Sequence, residues 1–251
     1  MSYFNYKGQN IYYNQVGNGK PILLLHGNTV SSKMFEPIIP ILSKKYKVIY
    51  MDFLGCGYSD RINKWPIDLW FNWSDQAYAL CNHLDLKNIN IIGCSGGALA
   101  AINFVLEHPD MVNRVIADSF EGIKADSSLT EQISSGRYFA KQNDEFCSIL
   151  KMMHGDDWEQ VLDADTETVI NHAKQIGEFF HHPISKLNKK ILLIGSKEDE
   201  MFLKAHYEKL FELIRNETSN ASSYIFEHGG HPALISNADE IIKICDEFFI
   251  N

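Results

Sequence analysis

The chain has 251 residues, 45% of them hydrophobic and 22% charged, the balance of an ordinary globular domain and not of a disordered segment. Its formal net charge of −9, with no lysine or arginine run longer than two, argues against nucleic acid or an anionic membrane surface as partner. Met1 to Gly8 lacks the apolar segment of a signal peptide, and runs such as Pro21 to Leu25 are too short to span a bilayer, so a soluble, cytoplasmic protein is expected.

Tyr3 to Tyr6 and Ile11 to Val16 alternate around Lys7-Gly8-Gln9-Asn10, which predicts an antiparallel hairpin. Ile22 to Leu25 predicts a buried strand and Lys33 to Ser43 a helix. The pattern repeats with strand Val48 to Met51 and helix Ser74 to Leu84, then strand Ile89 to Ile92 and helix Ala98 to Glu107. Strand Val112 to Ala117 follows. From Phe120 to Leu187 no strand pattern appears, only helical patterns over Leu129 to Ala140, Asp144 to Met153 and Thr166 to Phe180. That stretch is too long for one crossover and predicts a helical lid, residues 120–187, inserted between core strands. Strand Ile191 to Ile194, helix Met201 to Arg215, strand Ser223 to Phe226 and helix Ala238 to Phe249 close the chain. Short apolar strands alternating with helices predict a single α/β domain over 1–251, with a mostly parallel sheet covered on both faces. Right-handed crossovers put every carboxyl end of such a sheet on one edge, where ligands bind.

The five cysteines (Cys56, Cys81, Cys94, Cys147, Cys245) are scattered, with no metal-ligand or C-x-x-C spacing, a pattern of free thiols in a reducing compartment.

Gly93-Cys94-Ser95-Gly96-Gly97 lies where a predicted strand becomes a predicted helix. Such a turn holds a serine in a strained conformation with its hydroxyl at the sheet edge, and glycines are needed where a Cβ would strike the neighbouring elements. A serine hydroxyl needs a base, and the base an orienting carboxylate, here expected in the order Ser, acid, His, each after a strand. After Ile191 to Ile194 comes the acid-rich turn Gly195-Ser196-Lys197-Glu198-Asp199-Glu200. After the last strand comes His228-Gly229-Gly230-His231-Pro232.

With these stretches in place, the chain resembles the α/β-hydrolase superfamily, and in particular its small lid-bearing esterase-like members. His26-Gly27-Asn28 resembles the oxyanion loop, Asp52 to Ser59 the D-x-x-G-x-G-x-S loop, Gly93 to Gly97 the nucleophile elbow, Glu107-His108-Pro109-Asp110 the end of the elbow helix, and Gly229-Gly230-His231 the histidine loop. The resemblance covers all but the lid. It implies Ser95 as nucleophile and His231 as general base, with His228 the competitor. Asp199 is the preferred acid over Glu198, which sits at the usual G-x-x-D spacing, and over Asp118. The oxyanion hole is expected from the backbone N–H groups of Asn28 and Gly96, with His26 holding the loop. His26-Gly27-Asn28-Thr29 is also similar to haloalkane dehalogenases, but those carry aspartate where Ser95 stands, so carbon–halogen chemistry is not expected.

The resemblance implies a serine hydrolase acting on a small-molecule carboxylic ester, or an amide or thioester, through a Ser-His-Asp triad and an acyl-enzyme, with no metal or organic cofactor. The same fold also serves triad-bearing signal receptors and regulatory binding proteins with slow turnover. Phe139, Phe146, Met152 and Met153 have the side chains and helical spacing of an acyl-pocket wall in the lid, and Trp65, Trp70, Phe71 and Trp73 form a second aromatic-rich stretch. No feature of the sequence fixes the oligomeric state.

Overall fold

The computed structural model describes residues 1–202 and 206–250. Its strands are β1 (Ser2–Tyr6), β2 (Gln9–Val16), β3 (Pro21–Leu25), β4 (Lys47–Met51), β5 (Ile89–Cys94), β6 (Val112–Asp118), β7 (Ile191–Ser196) and β8 (Ala221–Phe226). They form one eight-stranded sheet in the order β1-β2-β4-β3-β5-β6-β7-β8. The β1–β2 hairpin turns through Lys7 and Gly8, both at positive φ, and β2 runs antiparallel to β4. Every pairing from β4 to β8 is parallel.

Helices α1 (Ile39–Leu42), α2 (Leu69–His83), α3 (Gly96–Glu107), α4 (Ser127–Ala140), α5 (Asp144–His154), α6 (Trp158–Gln175), α7 (His206–Glu217), α8 (Ala233–Ser236) and α9 (Ile241–Ile250) complete the fold. Successive strand residues point to opposite faces, so the apolar runs feed two cores. Leu23, Ile49, Ile91, Val115 and Leu193 pack with α2, α3 and α7. Ile22, Val48, Ile92, Ile116 and Ile194 pack with α1, α8 and α9 on the other side. This explains why the central strands read as unbroken apolar segments: both faces are covered.

Some boundaries depart from expectation for local reasons. The expected helix Lys33 to Ser43 is a 3₁₀ turn, Ser32–Phe35, followed by the short α1, because Pro37 and Pro40 remove donors and crowd the preceding turn. Helix α2 starts at Leu69, not Ser74, since Leu69, Trp70 and Trp73 are buried on the same face as Ala77 and Leu80. Helix α6 starts at Trp158, not Thr166, burying Val161 and Leu162, and stops before Gly177, which has φ 78°. An isolated antiparallel bridge, Lys124 to Glu178, then ties the two ends of the lid together. Within the expected helix Met201 to Arg215, residues 203–205 lie outside the described residues and α7 begins at His206.

Helices α4, α5 and α6 occupy the insertion between β6 and β7. Helix α5 is capped by Asn143, whose side chain accepts from Phe146 N–H at 3.0 Å, and carries Asp144 and Glu145 in its first turn, where negative charge is favoured. Its far end is pinned to the core. His154 Nδ1 accepts from Gly57 N–H at 3.0 Å and Nε2 donates to Thr29 O at 2.9 Å, while burial holds this imidazole's pKa below its ordinary value. Arg61 closes the same corner through Asp157, with bonds of 2.7 and 2.9 Å.

Candidate active site

Ser95 stands between β5 and α3 with φ 55° and ψ −124°, a conformation rarely adopted by a residue with a side chain. Its N–H donates to Asp118 O at 2.7 Å, fixing the turn against β6. The flanking glycines are needed for space: a Cβ on Gly93 would lie 2.1 Å from Gly97 O, and one on Gly97 2.0 Å from Leu25 O. Cys94 is fully buried and burial pushes its thiol well up, as suits a core residue.

The turn after β7 and the loop after β8 meet through three consecutive carboxylates. Asp199 Oδ2 lies 2.9 Å from His231 Nδ1, and the Asp199 side chain is only 1% exposed. The same oxygen accepts from Tyr207 Oη–H at 2.5 Å, and Oδ1 accepts from Met201 N–H at 2.9 Å. Burial acts to raise the Asp199 carboxyl, but the bonds from His231, Tyr207 and Met201 outweigh it and hold the group below the usual carboxylate range. Glu198 instead reaches outward, to His228 Nδ1 at 3.3 Å and Gly229 N–H at 3.2 Å, with His228 84% exposed. Glu200 accepts from His231 N–H at 3.0 Å. Asp118, the third candidate acid, touches His231 through neither ring nitrogen. Fully buried, it accepts from Leu234 N–H at 3.0 Å and from Ser119 Oγ–H at 2.9 Å, while burial pushes its carboxyl up to about 6.

Asn28 follows β3, and its loop lies against the elbow: a Cβ on Gly27 would sit 3.0 Å from Ser95 Cβ. Among the described residues, neither Asn28 N–H nor Gly96 N–H donates a hydrogen bond within the chain. His26 is buried and bonded at both ring nitrogens: Nε2 accepts from Phe53 N–H at 3.1 Å, so Nδ1 donates to Gly27 O at 2.8 Å. Burial lowers its pKa, so it is a neutral brace between the loops after β3 and β4.

A cavity of about 50 Å³ takes in Ser95, Gly96 and Asn28 from the core, Ile133 and Arg137 from α4, and Val169 from α6. It shares Ile133, Arg137 and Met201 with a neighbouring space of about 360 Å³ that reaches Phe146. Glu121 also borders the smaller cavity, and burial pushes its carboxyl up to about 7. Phe202 lines that cavity too, and its ring centroid lies 5.9 Å from that of His231. Ser95 and His231 themselves make no direct hydrogen bond among the described residues.

Of the expected lid residues, Phe146 lines the larger cavity. Phe139 and Met152 are 65% and 52% exposed, and Met153 is buried with its sulfur 3.4 Å from Ser31 Oγ. From the aromatic stretch, Trp70 borders the Ser95 cavity, whereas Trp73 stacks on Phe53 at 4.4 Å in the core and Trp65 packs against Gly55. Tyr207, Arg137 and Asp165 belong to no motif, and only their spatial placement reveals them.

A family profile described as alpha/beta hydrolase fold matches residues 20–141. A structure of the meta-cleavage product hydrolase from Pseudomonas fluorescens IP01 superposes with a TM-score of 0.77 at 23% identity, covering 100% of this chain and 97% of that one. The chain has the alpha/beta-hydrolase fold. Over 250 residues it is 23% identical to the serine hydrolase BPHL of Mus musculus, covering 96% of this chain and 83% of that protein. Similarity to 2-hydroxymuconate semialdehyde hydrolase of Pseudomonas sp. (strain CF600) is 29% over 113 residues. That match takes in 43% of this chain and spans 38% of the Pseudomonas protein. No helix among the described residues is long and apolar enough to cross a membrane.

Proposed function

We propose that the protein is a serine hydrolase that cleaves a carboxylic ester of a small molecule through Ser95, His231 and Asp199. The observation that carries this reading is the buried Asp199–His231 pair, 2.9 Å apart, on the same sheet edge as a serine held at φ 55°. An ionised carboxylate on Nδ1 requires the proton there, which leaves Nε2 free to take a proton from Ser95 Oγ. Ser95 Oγ attacks the carbonyl carbon, His231 takes the hydroxyl proton, and the carbonyl oxygen becomes an oxyanion. The unpaired N–H groups of Asn28 and Gly96 supply the two donors that this oxyanion needs. Collapse expels the alcohol with the proton from His231, and water repeats the sequence on the acyl-enzyme. Hydrolytic names among the relatives, the mouse serine hydrolase included, support the reaction class. We also propose a reducing, cytoplasmic setting, which the five unpaired cysteines support.

The test is a fluorophosphonate label combined with turnover of activated esters. Wild type should label once, and Ser95→Ala should lose the label and about 10⁴-fold or more of its turnover while folding normally. Labelling of Ser95→Ala at unchanged stoichiometry would sink the assignment.

A further inference from the structure

Asn28 is the place where lid and core are joined by a buried polar chain. Its Nδ2 donates to Asp165 Oδ2 at 2.8 Å, and its Oδ1 accepts from Trp70 Nε1–H at 3.0 Å. The amide orientation has one solution, because an indole only donates and an ionised carboxylate only accepts. Asp165 belongs to α6 and is fully buried. Its other oxygen, Oδ1, accepts from Arg137 Nη1–H at 2.8 Å, and that guanidinium, on α4, matches the buried charge. Both ends of the Asn28 amide are therefore committed inside the protein. The same amide lies on the elbow, since a Cβ added to Gly96 would stand 2.0 Å from Asn28 Oδ1. The residue whose side chain bonds Asp165 thus carries one of the two N–H groups assigned above to the oxyanion and packs closely against Gly96, which carries the other.

We infer that Asp165 is a positioning residue: through the Asn28 amide it holds the loop after β3 beside Ser95, so the oxyanion site is complete only while the lid is closed on the core. The inference rests on the serine-hydrolase reading. Two lid helices meet at this carboxylate, α6 through its own backbone and α4 through Arg137. Lifting the lid would strip Asn28 Nδ2 of its acceptor and leave a carboxylate and a guanidinium to be solvated together. Substrate entry and assembly of the catalytic donors are then alternatives, which keeps water from a fully armed site.

The experiment compares Asp165→Asn, Asn28→Ala, their double variant and Asp157→Asn on one activated ester and one trifluoromethyl ketone of matched chain length. On the ketone, Ser95 Oγ bonds to the carbonyl carbon, its proton passes to His231, and the ketone oxygen becomes the oxyanion. Asn28→Ala keeps its backbone N–H and also serves if Asp165→Asn folds poorly. Asp157→Asn removes one exposed contact at the Arg61 corner, where Arg61 keeps its bond to His154 O, and leaves the Asn28–Asp165 tether and the closed lid in place. Misplacing a donor, as opposed to deleting it, should cost about 10²-fold in kcat with KM within about threefold, and ketone affinity should fall in parallel. The double variant should be no worse than the more damaged single one, because both cut the same tether. Asp157→Asn should leave kcat and ketone affinity unchanged. Wild-type kcat in Asn28→Ala, a loss confined to KM, or an equal loss in Asp157→Asn would each overturn the inference. If wild type shows no Ser95-dependent turnover, the hydrolase reading itself fails, and this inference falls with it.

Discussion

Replacing Asp199 by asparagine changes one atom and forces a choice on His231. Oδ1 accepts from Met201 N–H, while Oδ2 accepts from Tyr207 and from His231 Nδ1. If the amide oxygen stays with Met201, the NH₂ faces Nδ1, which must then become an acceptor. The imidazole proton moves to Nε2, and the base can no longer take the proton of Ser95. If the amide turns over, its NH₂ faces Met201 N–H, two donors meet in a site that is 1% exposed, and the unpaired groups cost about 1–3 kcal/mol. The first arrangement is cheaper and is the inactive one. Turnover should fall by about 10³- to 10⁴-fold, or about 4–5.5 kcal/mol in the barrier.

Glu198→Gln is the matched comparison. Glu198 holds Gly229 N–H and the exposed His228, and an amide oxygen still accepts from Gly229, so its effect should stay within about threefold. Both variants are assayed by kcat/KM on an activated ester, with melting temperature as the folding control. The depressed Asp199 carboxyl also sets a pH direction: the hydrogen bonds its charged form accepts contribute stability that is complete above the ordinary carboxylate range and is lost as pH falls through its lowered pKa. Asp199→Asn should lack that acid-side loss. Near-normal turnover in Asp199→Asn, or a crippled Glu198→Gln, would refute the reasoning and move the acid one residue earlier.

Asp118→Asn tests the buried carboxyl beneath the histidine loop. A folded pKa of about 6, against an ordinary 3.8, means that its charge destabilises the fold increasingly as pH rises through that window, so the variant should gain about 2 kcal/mol on wild type between pH 4 and pH 7. Denaturant midpoints at several pH values measure this, and a gap that does not change with pH contradicts it. Phe146→Ala should shift the optimum of kcat/KM toward longer acyl chains, because Phe146 borders the 360 Å³ space, whereas Met152→Ala, on an exposed side chain, should leave the profile unchanged. A graded series of activated esters reads both, and equal shifts would remove Phe146 from the pocket wall.

The sheet was legible because its signal is local. Each strand buried on both faces is an apolar run, and each crossover helix repeats an apolar face. The elbow was legible for the same reason: its glycines are there to avoid backbone contacts near 2 Å, and that need shows in the chain as spacing. Asp199 was preferred to Glu198 only through the resemblance, since neighbouring carboxylates differ only in which way the turn aims them. Tyr207 bonds Asp199 from α7 and leaves no motif. Asn28 and Asp165 are 137 residues apart, and a hydrogen bond across that distance has no periodicity to betray it. The lid was legible as an insertion, while its inner and outer faces were not. Phe139 and Phe146 are equally aromatic on adjoining helices, yet one is exposed and the other lines a cavity, a choice made by tertiary packing.

The histidine loop shows how the sheet edge works as a ruler. His231 is held from two adjacent strands at once. From the turn after β7, Glu198 grips Gly229 N–H, Glu200 grips His231 N–H, and Asp199 takes the ring. From the end of β6, Asp118 accepts from Leu234 N–H, and Ser119 Oγ accepts from Ala233 N–H at 2.9 Å. Backbone groups on both sides of His231 are thus fastened to strands whose spacing is set by ladder hydrogen bonds, with Asp118 paired to Ile194 in register. Asp118 O also receives Ser95 N–H, so the residue that braces the histidine loop also braces the elbow. Ser95 and His231 are therefore both referred to one point on β6. That shared anchor makes the exchange of β6 packing residues a threat to geometry as well as to stability, and it explains why a carboxyl with so unfavourable a burial sits there: an apolar side chain would leave the buried Leu234 N–H without its acceptor and the loop without its fixed point.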